Sequence, residues 1–534
     1  MPFQYRYLPY KETGYFSGLV TDYLAGDKRL DGYYSYNTND QGIKQAIEQR
    51  AAFPIDRVKL VSMLHKQYEG LEKSELVAEN IKLLANKNTF TVCAAHQPNL
   101  LTGYLYFVYK ILHAIKLSEE LKKEYPDKYF VPVYYMGSED NDLEELGKFR
   151  YKDDTYVWDG NGQKGAVGRM RTKGLKQLFN ELFKLLGPPG ANFDQLKDII
   201  HKTYLEHDNI ASATQYLVNE LFGRYGLIVI NPDEQEFKRS ILPILKDELL
   251  HQRSNAIVNK EIEKLSAHYK AQAQPREINL FYLTDGLRER IERKEKHWVV
   301  LNTDISWTER ELLQELDEHP ERFSPNVILR GLLQESILPD VAFIGGGSEV
   351  AYWLQLKTLF EHYKVFYPAI FLRQSVLWIL PEHARLIHKL GYSIHDIFKS
   401  EDELVKSYAR KNSETDWQTN KETLAIEAIL KELQLKAENV DVTLKKSAEA
   451  TLTKMKNQLA SLEKKMMRAE KRKMLEQLAR VSRLKKQLFP SNSLQERVEN
   501  FSPYFLLQGP GFFDVIKEGI LLFQSEFLVV EQEY

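Results

Sequence analysis

The chain of 534 residues carries a single cysteine, Cys93. That scarcity excludes a disulfide scaffold and any zinc or iron–sulfur site built from thiolates, and it suits a reducing compartment. No run approaches the ~18 unbroken apolar residues of a membrane span. The opening stretch MPFQYRYLPYKETGYFSGLV lacks the basic start, apolar run and small-residue cleavage site of a secretory leader. A cytoplasmic protein, away from membranes, is therefore expected. Net charge is nearly absent, with 73 Lys and Arg against 75 Asp and Glu. So even a balance argues against nucleic acid as the main partner. The glycine–lysine spacing of a Walker loop never occurs, and neither do fixed-period repeats or low-complexity tracts.

What the chain does have is core material, 43% hydrophobic and 12% aromatic residues. At ~150 residues per domain its length holds roughly three to four domains, a size that favours an enzyme over a scaffold. Short apolar runs alternate with amphipathic stretches before residue 400. Thr89–Ala95, Phe130–Met136, Leu227–Asn231, Trp298–Asn302, Val341–Ile344 and Ala369–Leu372 read as buried strands. Helical patterns such as Tyr104–Leu121 lie between several of them. This alternation predicts an α/β domain with a mostly parallel sheet over residues 1–400.

The later part of the chain reads differently. From Asp441 to Leu488 there are 14 Lys and Arg against 5 Asp and Glu, with no proline or glycine. Leu452, Met455, Leu459, Leu462, Met466 and Ala469 mark a heptad seam, which steps by one and resumes at Met474, Leu478, Val481 and Leu488. The pattern predicts a long helix, ~70 Å if continuous, with a coiled-coil face. A shorter helix precedes it, broken near Glu438–Asp441. Residues 415–488 are thus expected to be a helical coiled-coil domain, and the apolar segment 490–534 to pack back on the core.

Three loops at strand ends carry the candidate chemistry. After the first strand, His96, Gln97, Asn99 and Thr102 present an imidazole, two amides and a hydroxyl just before a helix. Ligands in open α/β sheets bind beyond the carboxyl ends of strands. Equally, Asn99 or Thr102 can serve only as a helix cap. After the second strand, Glu139, Asp140, Asp142, Glu144 and Glu145 follow one another closely. They suit Mg²⁺ or a general base, or simply the positive end of a helix dipole. The third loop, Gly345-Gly346-Gly347-Ser348-Glu349, is open enough for a ligand to approach the backbone, and Ser348 can cap the following helix. Arg373, just past another strand, can pair with a carboxylate. A G-x-G-x-x-G match at Gly160–Gly165 lacks the helix a dinucleotide site needs and reads as a surface loop.

Together these segments resemble one family. HQPNLLTG (His96–Gly103), PVYYMGSEDNDLEE, GGGSEVAYWLQL and the late Leu494-Gln495-Glu496-Arg497 are similar to the motifs of the bacillithiol biosynthesis cysteine-adding enzymes. Asn141 stands where that family's pattern has histidine, and GGGSE where it more usually has GGPGE. The resemblance implies a Rossmann-like core with inserted connecting segments, plus a long α-helical coiled coil that forms a homodimer. The implied reaction is a carbon–nitrogen ligation, joining the carboxyl group of L-cysteine to the amine of glucosaminyl malate. ATP is the natural activator of the carboxylate, and Mg²⁺ its natural companion.

Carried onto this sequence, the resemblance implies His96, Glu139, Asp140 and Asp142 in catalysis. Gln97, Asn99, Thr102, Gly103, Ser138, Tyr352 and Arg373 would bind substrate, and Gly346, Gly347, Ser348 and Glu349 the nucleotide. The metal ligands stay unassigned. Competing readings are a ligase or nucleotidyl transferase for another amino acid or amino sugar, and a non-catalytic nucleotide-binding coiled-coil protein.

Overall fold

The computed structural model describes residues 2–413 and 418–533. Residues 415–417, at the start of the expected helical domain, and the terminal Met1 and Tyr534 lie outside the described residues. The chain folds into two units. One is Met1–Trp378 with Ser493–Glu531, the other Ile379–Asn492 with Gln532–Tyr534.

The first unit is built on five parallel strands: β1 (Thr89–His96), β2 (Tyr129–Met136), β3 (Ile228–Ile230), β4 (Asp340–Gly345) and β5 (Ala369–Leu372). They read 5-4-1-2-3 across the sheet. Nearly all their residues are buried, because helices cover both faces of a parallel sheet and leave no solvated side. This is the Rossmann-like order, in which the direction of winding reverses between β1 and β4. The crevice outside the strand ends at that reversal is where such sheets bind ligands. His96 ends β1 opposite Met136, and Gly345 ends β4 opposite Leu372. Helix α1 (Leu105–Glu124) follows β1 and buries Leu105, Val108, Leu112 and Ile115 with most of its first turns.

One expected strand of the parallel series lies elsewhere. His297–Val300 belongs to a separate five-stranded antiparallel sheet with Leu280–Thr284, Leu287–Lys294, Ser306–Thr308 and Phe323–Pro325. Two-residue connections explain why. Asp285-Gly286, with Gly286 at φ +76°, and Glu295-Lys296 turn the chain straight back, and a two-residue hairpin pairs its strands antiparallel. Within the Gly160–Gly165 match, Gly160–Gly162 form a short 3₁₀ turn; the next α-helix begins only at Leu175.

At the start of β4 two buried carboxyl groups lie together. Glu335 and Asp340 are both buried. Gln334 Nε2 donates to Glu335 Oε1 at 2.8 Å and to Asp340 Oδ2 at 3.3 Å, and the Thr91 hydroxyl donates to Asp340. Burial, followed by the charge of Asp340, pushes the Glu335 carboxyl well above the usual range. A carboxyl raised in the folded state contributes stability below its unfolded pKa of ~4.3, and that contribution is lost as pH rises through the folded value. Glu335→Gln keeps the shape without the ionisation. Its melting temperature is expected to fall less than wild type between mildly acidic and alkaline pH; equal slopes would show that Glu335 is not the titrating group.

The second unit is helical. Helix α4 (Asn420–Val440) ends at Asp441, and α5 (Leu444–Lys473) runs back along it. Thr419 pairs with Glu463, Glu427 with Lys456, Gln434 with Glu449 and Glu438 with Lys445, the descending register of an antiparallel hairpin. The single rod of residues 441–488 is therefore divided. At ~1.5 Å per residue α5 spans ~45 Å. A break at Met474 (φ −115°) separates it from α6 (Leu475–Leu488), at the residue where the heptad seam steps. Leu452, Leu459 and Met466 are half-buried, while Met455 and Leu462 remain exposed.

Candidate active site

The chain leaves β1 through a strained turn. Leu101, Thr102 and Gly103 have φ of +48°, +63° and +66° in succession, conformations that cost non-glycine residues about 1–3 kcal/mol each. Surrounding groups fix them. Asn500 Nδ2 donates to Leu101 O at 2.8 Å and Gly103 O at 2.6 Å, and the Leu101 N–H donates to the Tyr204 hydroxyl at 2.6 Å. At Gly103 a Cβ would stand 2.9 Å from that of Asn99, so the turn needs glycine there. Neither Asn99 nor Thr102 caps α1. Tyr104 is its first flanking residue, and Glu499 O accepts the Leu105 N–H at 2.8 Å. Asn99 Oδ1 and Thr102 Oγ1 are buried without a hydrogen bond.

His96 faces the crevice. Its ring stands 5.5 Å from those of Tyr106 and Phe107, and Nε2 is buried without a partner. Burial, then the charges of Lys110, Arg373 and Arg330, hold its pKa well below the usual histidine range. These effects favour the neutral imidazole.

Across the crevice, the glycine loop opens α3 (Gly347–Trp353), whose cap is Gly346. Glu349 Oε2 accepts the Gly346 N–H at 2.8 Å. Ser348 is exposed, one residue inside the helix, so the capping expected of it falls to Glu349 reaching back from the third position. Glu349 is also paired with Lys110, which lies buried in α1 and donates to Ala95 O at 2.9 Å. At Gly345 a Cβ would meet Phe343 at 2.9 Å and Glu349 at 3.0 Å, which is why the loop approaches the strand so closely.

Arg373, at the end of β5, donates from Nη2 to Glu496 Oε1 at 2.7 Å and stacks its guanidinium 5.4 Å from the Tyr106 ring. Glu496 is fully buried, and its Oε2 accepts the Val376 N–H at 3.1 Å. The neighbouring Gln495 accepts from Trp378 N at 2.9 Å. The LQER motif thus acts as a side-chain strand that holds the backbone after β5.

The acidic loop divides its members. Glu139 is buried with Lys238, and Ser324 donates to its Oε2 at 2.9 Å. Asp142 is exposed and caps Leu143–Leu146 by accepting the Glu145 N–H at 3.1 Å. Ser138 donates to Asn231 at 2.5 Å. Asp140 accepts from Gln97 Nε2 at 3.0 Å and lies 3.7 Å from Arg288. Burial raises its pKa, but Arg330, Arg288 and these hydrogen bonds outweigh that and hold it below the usual range. Asn141 accepts from Arg288 Nη1 at 3.0 Å. Among the described residues, no group of three or more His, Cys, Asp or Glu is placed to hold a metal ion.

The pocket between the loops has about 430 Å³ of empty space, counting the part open to solvent. Its polar lining includes His96, Gln97, Arg330, Gln334, Glu349 and Tyr352, with Val327, Phe343 and Trp353 as apolar walls. Of the residues singled out from sequence, His96, Gln97, Glu349 and Tyr352 meet here. Asn99, Thr102, Gly103, Ser138, Glu139, Asp140, Asp142, Gly346, Gly347, Ser348 and Arg373 do not line it. Sequence reading passed over Lys110 and Arg330. The signal for the first was a lysine inside the apolar stretch LYFVYKILHAI.

The family model described as "Bacillithiol biosynthesis BshC, N-terminal Rossmann-like domain" matches residues 3–374. That of the "C-terminal coiled-coil domain" matches residues 376–532. Similar proteins bear the name "Putative cysteine ligase BshC". One from Flavobacterium johnsoniae is 40% identical over 525 residues, covering 98% of this chain and 99% of that protein. Another, from Flavobacterium psychrophilum, is 38% identical over 527 residues, with 98% and 99% covered. A third, from Christiangramia forsetii, is 38% identical over 529 residues, with 98% of each covered. Among the described residues no helix is long and apolar enough to cross a membrane.

Proposed function

The chain belongs to the BshC family of bacillithiol biosynthesis, and from that premise we propose that it is a cysteine ligase acting in the cytoplasm. In this reading it joins the carboxyl group of L-cysteine to the amine of glucosaminyl malate, forming bacillithiol. Amide formation from a free carboxylate is uphill in water, so ATP first converts the carboxylate into an acyl-adenylate or acyl phosphate. The amine then attacks the acyl carbon, AMP or phosphate leaves, and the amine's proton goes to a base.

The observation that carries the reading is His96, its Nε2 buried without a partner, lining the pocket at the strand-order reversal. A proton acceptor must be unprotonated and within hydrogen-bond reach of its donor, and His96 meets the first condition. Asp140, already hydrogen-bonded and held low, is the weaker base. Gly347, in the first turn of α3, offers its backbone to the nucleotide phosphates. Mg²⁺ would enter on those phosphates rather than in a protein cage. Incubation with L-cysteine, glucosaminyl malate and ATP, followed by mass spectrometry for bacillithiol and for AMP or ADP, tests this directly. ATP turnover with a different amino acid and no bacillithiol would overturn it.

The homodimer belongs to the same reading. Its support is the apolar surface left on the hairpin, where Leu424, Ile429, Leu433, Met455 and Leu462 are exposed. Replacing Met455 and Leu462 by glutamate would bury charge in that seam at a cost of several kcal/mol. Sedimentation is expected to show monomers. An unchanged dimer would place the interface elsewhere.

A further inference from the structure

Three cations surround His96, and they differ in what answers them. Lys110 is paired with Glu349, and Arg373 with Glu496. Arg330, on α2 (Arg330–Ile337), lines the pocket, yet among the described residues no carboxylate lies within 4.0 Å of it. Asp140 feels the charge of Arg330 from beyond contact distance, while it accepts from Gln97 and lies 3.7 Å from Arg288. Tyr352, a neutral phenol, shares the pocket with Arg330. A half-buried guanidinium with no carboxylate in contact fits an anionic ligand group, which it can grip by two parallel bonds.

The wall at that point is shaped for it. Gly137, just after β2, also lines the pocket, and a Cβ there would stand 3.2 Å from Arg330 Nη1. The missing side chain lets the guanidinium lie against the end of the strand. Opposite charge is present too. Glu349 uses Oε2 for Gly346 N and Lys110, which leaves Oε1 for a ligand ammonium group. Phe343 and Trp353 close the pocket with apolar surface. Positive group, negative group and a small apolar wall match an α-amino acid with a short side chain. A dianionic sugar conjugate would need a second free cation.

We infer that this pocket is the receptor for the amino-acid substrate, with Arg330 holding the carboxylate and Glu349 the ammonium group of L-cysteine. The inference rests on the cysteine-ligase reading above, and it assigns to Arg330 the role of distinguishing cysteine from thiols that lack a carboxylate.

Equilibrium binding to the full chain, without ATP or acceptor, separates the two claims. L-Cysteine, cysteamine and 3-mercaptopropionate are titrated into wild type, Arg330→Gln and Gly137→Ala. Wild type is expected to prefer cysteine over cysteamine by about tenfold to a hundredfold. Arg330→Gln should bind the two alike while keeping its preference for cysteine over 3-mercaptopropionate. Gly137→Ala, which crowds the guanidinium and leaves its charge, should give an intermediate ratio, and it decides the matter if Arg330→Gln does not fold. A wild-type cysteine-to-cysteamine ratio retained in the Arg330 variant, or in the Gly137 variant when that one decides, overturns the assignment. So does a wild type that binds both thiols equally. Bacillithiol formation by wild type alongside either result would leave the proposed function standing. Serine bound as tightly as cysteine, with the same dependence on Arg330, supports the receptor and places thiol selection at a later step.

Discussion

Replacing Glu496 by alanine is expected to destabilise the protein by about 3–5 kcal/mol, the usual cost of removing one partner from a buried ion pair. Glu496 is fully buried and Arg373 nearly so. The substitution leaves the guanidinium without its 2.7 Å partner and the Val376 N–H without its acceptor. Glu496→Gln keeps an acceptor for Val376 and loses only the charge, so a smaller fall in melting temperature is expected. The informative control is the apolar double replacement Arg373→Met with Glu496→Leu. Removing both charges relieves the desolvation of each, and such pairs are often neutral or stabilising. Recovery of the melting temperature in the double variant, with activity still lost, would assign Arg373 to substrate handling and Glu496 to holding it. A Glu496→Ala protein as stable as wild type would mean that solvent reaches the pair.

The second large effect is on turnover. His96→Ala is expected to lower kcat by about 10²–10⁴-fold, the range for a positioned general base, alongside a fall in melting temperature from the lost ring packing on Tyr106 and Phe107. The pH profile supplies an independent reading. Burial and three neighbouring cations depress the His96 pKa, so the acid limb of activity should lie below the ~6.5 of free histidine. Removing one of those cations favours the protonated ring, and Lys110→Met should therefore move that limb to higher pH. Turnover in His96→Ala within a few-fold of wild type would shift the proton to Asp140 or to solvent.

Much of the architecture was legible because it is written locally. Apolar runs ending in His96, Gly137 and Gly345 mark strand ends, and these are the positions around which the pocket forms. The antiparallel insert was missed although Asp285-Gly286 is a strong hairpin signal, because the strands beside it, LRERIERK above all, are too charged to read as buried. The site was only partly legible for a different reason. Lys110 and Glu349 are 239 positions apart, Lys238 and Glu139 99, and Arg373 and Glu496 123. Spacing carries no information about such pairs. Glu139 and Asp140 are adjacent in sequence, yet one faces a buried lysine and the other the Gln97 amide, and only the fold decides which.

The turn at Leu101–Gly103 bears on how the protein is made. Its left-handed residues are fixed by Asn500, and Arg373 by Glu496. Chains usually fold from the N-terminus during synthesis, yet here the loop beside His96 waits for a clasp made nearly 400 residues later. A chain released early, even one with every pocket-lining residue, would lack that clasp. Activity in this protein therefore depends on the segment after residue 490, and fragments ending before it should be inert.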